Sequence, residues 1–208
     1  MAEQLSRLGI LISGRGSNML ALADAVDQGR IPNAEIALVV SDKAKAEGID
    51  HAAARGLKTR IIERAGRNRE EHDRETVAAL RENGVELVCL AGYMRLLSPY
   101  FIDAYRNRIL NIHPSLLPAF PGLDAHRQAL AAGVTSSGCT VHFVDETLDG
   151  GPIIAQRTVP VFPGDTEESL AARILEQEHQ LYAEAVALIS TGEIEVVGDR
   201  VLRKNQQQ

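Results

Sequence analysis

Two polar side chains interrupt an apolar stretch near the middle of the chain. Residues 109–118 read Ile-Leu-Asn-Ile-His-Pro-Ser-Leu-Leu-Pro. Ile109, Leu110 and Ile112 suit a short buried strand, and Pro114 and Pro118 stop its ladder from continuing. Asn111 and His113 stand two residues apart, so on a strand they share a face. A short buried strand that places an amide donor and an imidazole on one face is aiming them at a ligand. Farther on, residues 148–152 read Leu-Asp-Gly-Gly-Pro. A carboxylate at Asp149, returned to His113 by the fold, would favour the imidazolium and make a proton donor that works near neutral pH. Asp in a Gly-rich turn is also a common turn residue. The chemical reading therefore requires that Asp149 reach His113 in a shielded place.

The elements that must position these groups are legible as alternating periods. Residues 8–12 form an apolar run read as a first strand. Met19, Leu20, Leu22, Ala23 and Val26 recur at helical spacing, with Gly29 as a stop. Strands are expected at 36–40, 59–62, 87–91 and 109–112, and helices at 44–54, 68–83 and 99–105. Asn68 with Glu71 three residues later has capping-box spacing. This alternation implies right-handed βαβ units and a parallel sheet. The rhythm then changes. A helix over 124–132 precedes two strands, 139–144 and 153–161, joined by a loop alone, as an antiparallel pair is. Asp165-Thr166 starts a long amphipathic helix over 167–189. Gly198-Asp199 marks a hairpin between 194–197 and 200–202. Residues 204–208 are a polar tail expected to fray. The fold class is α/β, a mostly parallel twisted sheet with an antiparallel C-terminal part, in one domain over 1–208.

Bulk properties narrow the partners. The 208 residues carry 22 Lys plus Arg against 28 Asp plus Glu, a net charge of -6, which argues against nucleic acid as the main partner. No apolar run approaches the ~18 residues of a membrane span. The N-terminus lacks the pattern of a secretory signal. Cys89 and Cys139 both sit in strand-like contexts and read as small buried hydrophobes. A reducing, cytoplasmic setting is expected, with no membrane and no metal.

Residues 14–18 read Gly-Arg-Gly-Ser-Asn, after a strand and at the start of a helix. Glycines permit the tight turn, and free N–H groups at a helix start attract phosphate. The string lacks the Lys and Ser/Thr of a P-loop and matches the dinucleotide spacing poorly. An ordinary βα turn with an Asn cap accounts for it equally well. Arg64, Arg67 and Arg69, mixed with Glu70, Glu71 and Asp73, read as a solvated helix face. His126 and His142 have no metal-ligand spacing and read as structural or substrate-side. His179 reads as structural.

Taken in order, these strings resemble the folate-dependent formyltransferases. Asn-Ile-His-Pro-Ser-Leu-Leu-Pro at 111–118, followed by Asp-Gly-Gly-Pro-Ile at 149–153, carries the resemblance. Ile-Ser-Gly-Arg-Gly-Ser-Asn at 12–18, Ala-Gly-Tyr-Met-Arg-Leu-Leu-Ser-Pro at 91–99 and Gln-Glu-His at 177–179 narrow it to the branch acting on glycinamide ribonucleotide. The resemblance runs from about residue 8 to 189. It implies a Rossmann-like formyltransferase fold, with a ribonucleotide site in the N-terminal half and a folate site in the C-terminal half. The implied reaction moves a formyl group from 10-formyltetrahydrofolate, a co-substrate, to the amine of glycinamide ribonucleotide in purine synthesis.

By matching positions, the resemblance makes Asn111, His113 and Asp149 catalytic. Gly16, Ser17 and Asn18 would hold the ribonucleotide phosphate, with Glu178 at the ribose or glycinamide side. Arg69, Met94, Arg95, Leu96 and Leu97 would line the folate site together with Asn111, Asp145 and Asp149. A cis Leu117–Pro118 peptide is implied, and the protein would be a monomer or homodimer. Arg15 stands where the family pattern has Asn, and Tyr93 where Phe is familiar. Methionyl-tRNA formyltransferases add a C-terminal tRNA domain and formyltetrahydrofolate hydrolases an N-terminal regulatory domain, and neither extension is expected here. A noncatalytic nucleotide module would keep the Gly-rich loop with no reason to gather Asn111, His113 and Asp149.

Overall fold

The computed structural model describes residues 5–204. Alternating apolar strands and capped helices build a seven-stranded sheet in the order β3-β2-β1-β4-β5-β6-β7. The strands are β1 (Ser6–Ile12), β2 (Ala34–Ser41), β3 (Thr59–Ile61), β4 (Leu87–Leu90), β5 (Ile109–His113), β6 (Ser136–Phe143) and β7 (Ile153–Pro160). The first five are parallel, while β6 and β7 run antiparallel to their neighbours. The hairpin of β8 (Ile194–Val197) and β9 (Arg200–Arg203) stands apart from this sheet. Lys204 donates its backbone N–H to the Glu193 carbonyl; the rest of the expected tail, 205–208, lies outside the described residues.

Helices cover both faces, as a sheet buried on two sides requires. Leu8, Ile10 and Ile12 of β1 and Leu110 and Ile112 of β5 pack into one core, with α1 (Ser17–Asp27), α2 (Glu47–Ala54), α5 (Ala125–Ala131) and α6 (Glu167–Ser190). Leu11, Val88 and Ile109 join α3 (Arg69–Glu82) and α4 (Pro99–Ala104) in a second core on the other face. Asn111 and His113 therefore share the face of Ile109. Tyr182 of α6 bonds the Leu90 and Leu110 carbonyls, both at 3.1 Å, which fixes α6 across β4 and β5.

Side-chain caps set the N-terminal ends of α3, α4 and α6. Asn68 accepts from the Glu71 N–H at 2.9 Å while the Glu71 carboxylate accepts from the Asn68 N–H at 3.0 Å, the reciprocal box that the sequence implies. Thr166 and Ser169 form the same box before α6. The second helix departs from expectation, starting at Glu47 rather than residue 44. Residues ahead of it form a turn held by Ser41, whose hydroxyl accepts from the Lys43 N–H at 3.1 Å. Gly48 N–H then donates to the Gly14 carbonyl at 3.0 Å, so the helix starts where it can dock on the first loop.

Strand order reverses between β1 and β4, the kind of place where α/β sheets open a ligand crevice. There Ser13 N–H donates to the Gly92 carbonyl at 3.1 Å, and the Ser13 hydroxyl accepts from the Met94 N–H at 2.9 Å. The Gly-rich loop and the 91–97 segment are thus tied side by side.

Candidate active site

Asn111 and His113 emerge from β5 opposite His142 and Thr140 of antiparallel β6. The four residues share one face of the sheet. From the end of β6 the chain passes through a loop that carries Asp149 back to that face. Asp149 has φ 49, a left-handed conformation that Asp tolerates better than most residues. Its Oδ2 lies 3.4 Å from His113 Nδ1, and its Oδ1 lies 3.8 Å from His142 Nε2. The His113 and Asp149 side chains are 6% and 12% exposed, so water screens the pair weakly. Asp149 Oδ2 also accepts from the Gly122 N–H at 2.7 Å.

The second ring nitrogen of His113, Nε2, donates to the Phe120 carbonyl at 2.9 Å. Both ring nitrogens thus face acceptors, an arrangement that a doubly protonated imidazolium satisfies completely. Segment 115–122 is pinned over the site. Thr140 hydroxyl donates to the Ser115 carbonyl at 2.7 Å and accepts from Leu117 N–H at 3.0 Å. Gln156 donates to both the Leu117 carbonyl and Thr140 Oγ1 at 2.8 Å. The Leu117–Pro118 peptide is cis, and Phe120 has φ 56.

His142 belongs to the site, although its sequence context left it structural or substrate-side. Its Nδ1 is 2.8 Å from the Phe143 carbonyl, and its Nε2 is 3.2 Å from the Asn111 amide nitrogen. Burial pushes its pKa down, partly opposed by that carbonyl and by Asp149. The missed signal was register, since Asn111 and His142 are direct cross-strand partners. His126 is also shifted down, by burial first, with Glu167 opposing and His113 contributing.

A second cluster lies at the start of α1. Gly16 caps the helix with φ 77, and a Cβ there would come within 2.8 Å of Gly48 Cα. Asn18 is therefore not the cap that the plain turn reading required. It sits within the helix and donates from Nδ2 to Glu178 Oε2 at 2.8 Å, while its own Oδ1 is buried without a partner. Burial raises the Glu178 pKa, with the Asn18 bond opposing. Burial first, and then the charge of Glu178, push the Cys139 thiol of β6 up to about 12. Ser17 is half-buried and Arg15 exposed beside it.

The remaining expected residues are more dispersed. Met94 and Leu96 are exposed apolar side chains, whereas Leu97 is buried in the second core. Arg95 is half-buried, with Nε lacking a partner. Asp145 Oδ1 accepts from Thr147 N–H at 2.7 Å, shaping the loop that carries Asp149. Arg69 is exposed in the first turn of α3, and no bond joins it to His113 or Asp149. Among the described residues, no group of three or more His, Cys, Asp or Glu could hold a metal ion, and no helix is long and apolar enough to cross a membrane.

The chain is similar to known proteins in sequence and in fold. A family model described as formyl transferase matches residues 6–186. Phosphoribosylglycinamide formyltransferase of Escherichia coli is 44% identical over 188 residues, spanning 90% of this chain and 88% of that protein. The trifunctional purine biosynthetic protein adenosine-3 of Homo sapiens is 45% identical over 197 residues, 93% of this chain. The chain spans only 19% of that protein's length, and similarly small shares of its insect and vertebrate counterparts. The solved structure of glycinamide ribonucleotide transformylase 1 from Symbiobacterium toebii superimposes with a TM-score of 0.94 at 48% identity, covering 98% of this chain and 95% of that one. The chain belongs to the formyl transferase family, among its phosphoribosylglycinamide formyltransferases.

Proposed function

We propose that this protein transfers the formyl group of 10-formyltetrahydrofolate to the amine of glycinamide ribonucleotide. The observation that carries the reading is the shielded Asp149 carboxylate 3.4 Å from His113 Nδ1, beside Asn111 on the same strand. The substrate amine attacks the formyl carbon, and charge develops on the formyl oxygen. Asn111 and the His113 imidazolium donate to that oxygen, and losing one such donor costs ~3 kcal/mol of barrier. The bond from the formyl carbon to the folate nitrogen then breaks. The amine's proton passes through water, with Asp149 as relay, to the leaving nitrogen. No covalent enzyme intermediate forms, so no Ser or Cys nucleophile is needed.

For the formyl oxygen to engage His113 Nε2, the Phe120 carbonyl must give way. Its left-handed φ is unfavourable for a bulky residue, which lowers the cost of release. At the ribonucleotide end, Gly16, Ser17 and the first N–H groups of α1 suit a phosphate, and Arg15 adds positive charge nearby. Asn18 Oδ1 and the Glu178 carboxyl are acceptors suited to substrate hydroxyl or amine groups. The exposed Met94 and Leu96, with Arg69, Arg95, Leu97 and Asp145, form the proposed folate side.

The test supplies 10-formyltetrahydrofolate with and without glycinamide ribonucleotide and follows tetrahydrofolate release. Turnover that requires the amine is expected. Equal turnover without it means a hydrolase, and none in either case overturns the reading.

A further inference from the structure

His142 makes contacts that the reaction as written does not use. Its Nδ1 faces the Phe143 carbonyl at 2.8 Å. A carbonyl only accepts, so in the neutral ring the proton sits on Nδ1 and Nε2 keeps its lone pair. That lone pair lies 3.2 Å from the Asn111 amide nitrogen. One amide N–H is therefore spent on His142, and the other is left for the cleft. Turning the amide over would set Asn111 Oδ1 against the same lone pair, acceptor against acceptor. It would also shift the donor by the width of the amide group, and oxyanion donors tolerate no such displacement.

We propose that His142 is a positioning residue for formyl transfer, its Nε2 lone pair locking Asn111 so that one amide N–H faces the formyl oxygen. The proposal rests on the formyl-transfer reading for its chemistry, and on the β5–β6 register for its geometry. Groups facing the ring are Asp149 and Asp145 from the loop after β6, which favour a charged ring, and His113 from β5, which disfavours it. Burial is the largest influence and keeps the ring neutral. A proton added at Nε2 would place donor against donor at Asn111. It would also draw the ring toward Asp149 Oδ1, 3.8 Å away, in competition with His113.

Two measurements test this on the full chain. In histidine-labelled wild-type protein, nitrogen NMR near neutral pH is expected to show His142 protonated on Nδ1 and bare on Nε2. In turnover assays, His142→Leu is expected to lose at least about tenfold in kcat, with KM for both substrates changed by less than about threefold. His142→Gln can present its amide oxygen to Asn111 and is expected to recover most of that loss. A proton on Nε2 in the wild-type spectrum overturns the proposal even if the Leu variant fails to fold. So does a His142→Leu enzyme with kcat within about twofold of wild type. Wild-type protein that shows the expected tautomer but never formylates glycinamide ribonucleotide supports the His142–Asn111 lock and overturns only the choice of reaction.

Discussion

Asp149→Asn separates charge from shape. Asn accepts the left-handed backbone at φ 49 as readily as Asp. Its Oδ1 can still receive the Gly122 N–H now held at 2.7 Å. What disappears is the anion beside two imidazoles, 3.4 Å from His113 and 3.8 Å from His142. Two unit charges at 3.4 Å attract by about 5 kcal/mol at an effective dielectric of about 20. That is a gross figure, because both charges were removed from water to make the pair. The difference between a hydrogen bond to a charged partner and a neutral one is a better measure, about 1–2 kcal/mol. An Asn amide can also turn a donor toward Nδ1, where the carboxylate could only accept, which moves the loss to the upper end. The expected outcome is a kcat reduced by about 2 kcal/mol of barrier, ~30-fold, with a melting temperature close to wild type. Asp149→Ala serves as the contrast, since it also loses the Gly122 bond and the left-handed tolerance and so melts lower. The assay is release of tetrahydrofolate with both substrates saturating. An Asn variant with kcat within about threefold of wild type would show that the carboxylate's charge is irrelevant and would sink the account of the trio.

Glu178→Gln tests whether the proposed ribonucleotide end is built at a cost in stability. Burial raises the Glu178 pKa, so the fold favours the protonated form. That contribution is complete below the ordinary carboxyl value of about 4.3 and is lost as pH rises through the raised folded value. Gln keeps the Asn18 contact and cannot ionise, so its melting temperature should gain on wild type between acid and neutral pH; a constant offset would refute the burial argument. The two thiols give a separate check. Cys89 and Cys139 are fully buried and both are pushed up to about 12, chiefly by burial. Neither should react with a thiol reagent in the native state near neutral pH, and both should react at the rate of global unfolding; rapid labelling of either would contradict the packing.

The sequence carried local information well and register poorly. The α3 cap was legible because both partners lie within four residues, Asn68 and Glu71. The antiparallel β6–β7 pair was legible because no helix fits between residues 144 and 153, whereas the reversal itself, between β5 and β6, was not, because α5 lies between them. The start of α2 was misplaced because the bond that sets it, Gly48 to Gly14, crosses from one loop to another. Asn111 and His113 stood out as polar groups on an apolar strand. His142 did not, because its value comes from lying opposite Asn111, a pairing that no spacing reveals. Glu178 entered through family resemblance alone, because its partner Asn18 lies 160 residues away in the chain although 2.8 Å away in space.

The reversal of strand direction at β6 explains how one short loop serves the site. Residues 114–135, with α5 among them, are long enough for a parallel crossover, but a sixth parallel strand would send the following loop out beyond His113. Running antiparallel, β6 sets Thr140 level with His113 and His142 level with Asn111. The loop after β6 then begins near Leu110, low on β5, and has only to fold over the strand face to bring Asp149 to the imidazole. Gly151 makes that fold tight: a Cβ there would lie 2.0 Å from the Phe143 carbonyl. Phe143 N–H donates to the Pro152 carbonyl at 2.9 Å and closes the loop's base. The same Phe143 carbonyl that excludes a side chain at Gly151 accepts the hydrogen bond of His142 Nδ1–H. One backbone oxygen therefore both shapes the path of Asp149 and fixes the tautomer that faces Asn111. Any substitution that lifts residue 151 away from β6 should disturb both halves of the trio at once.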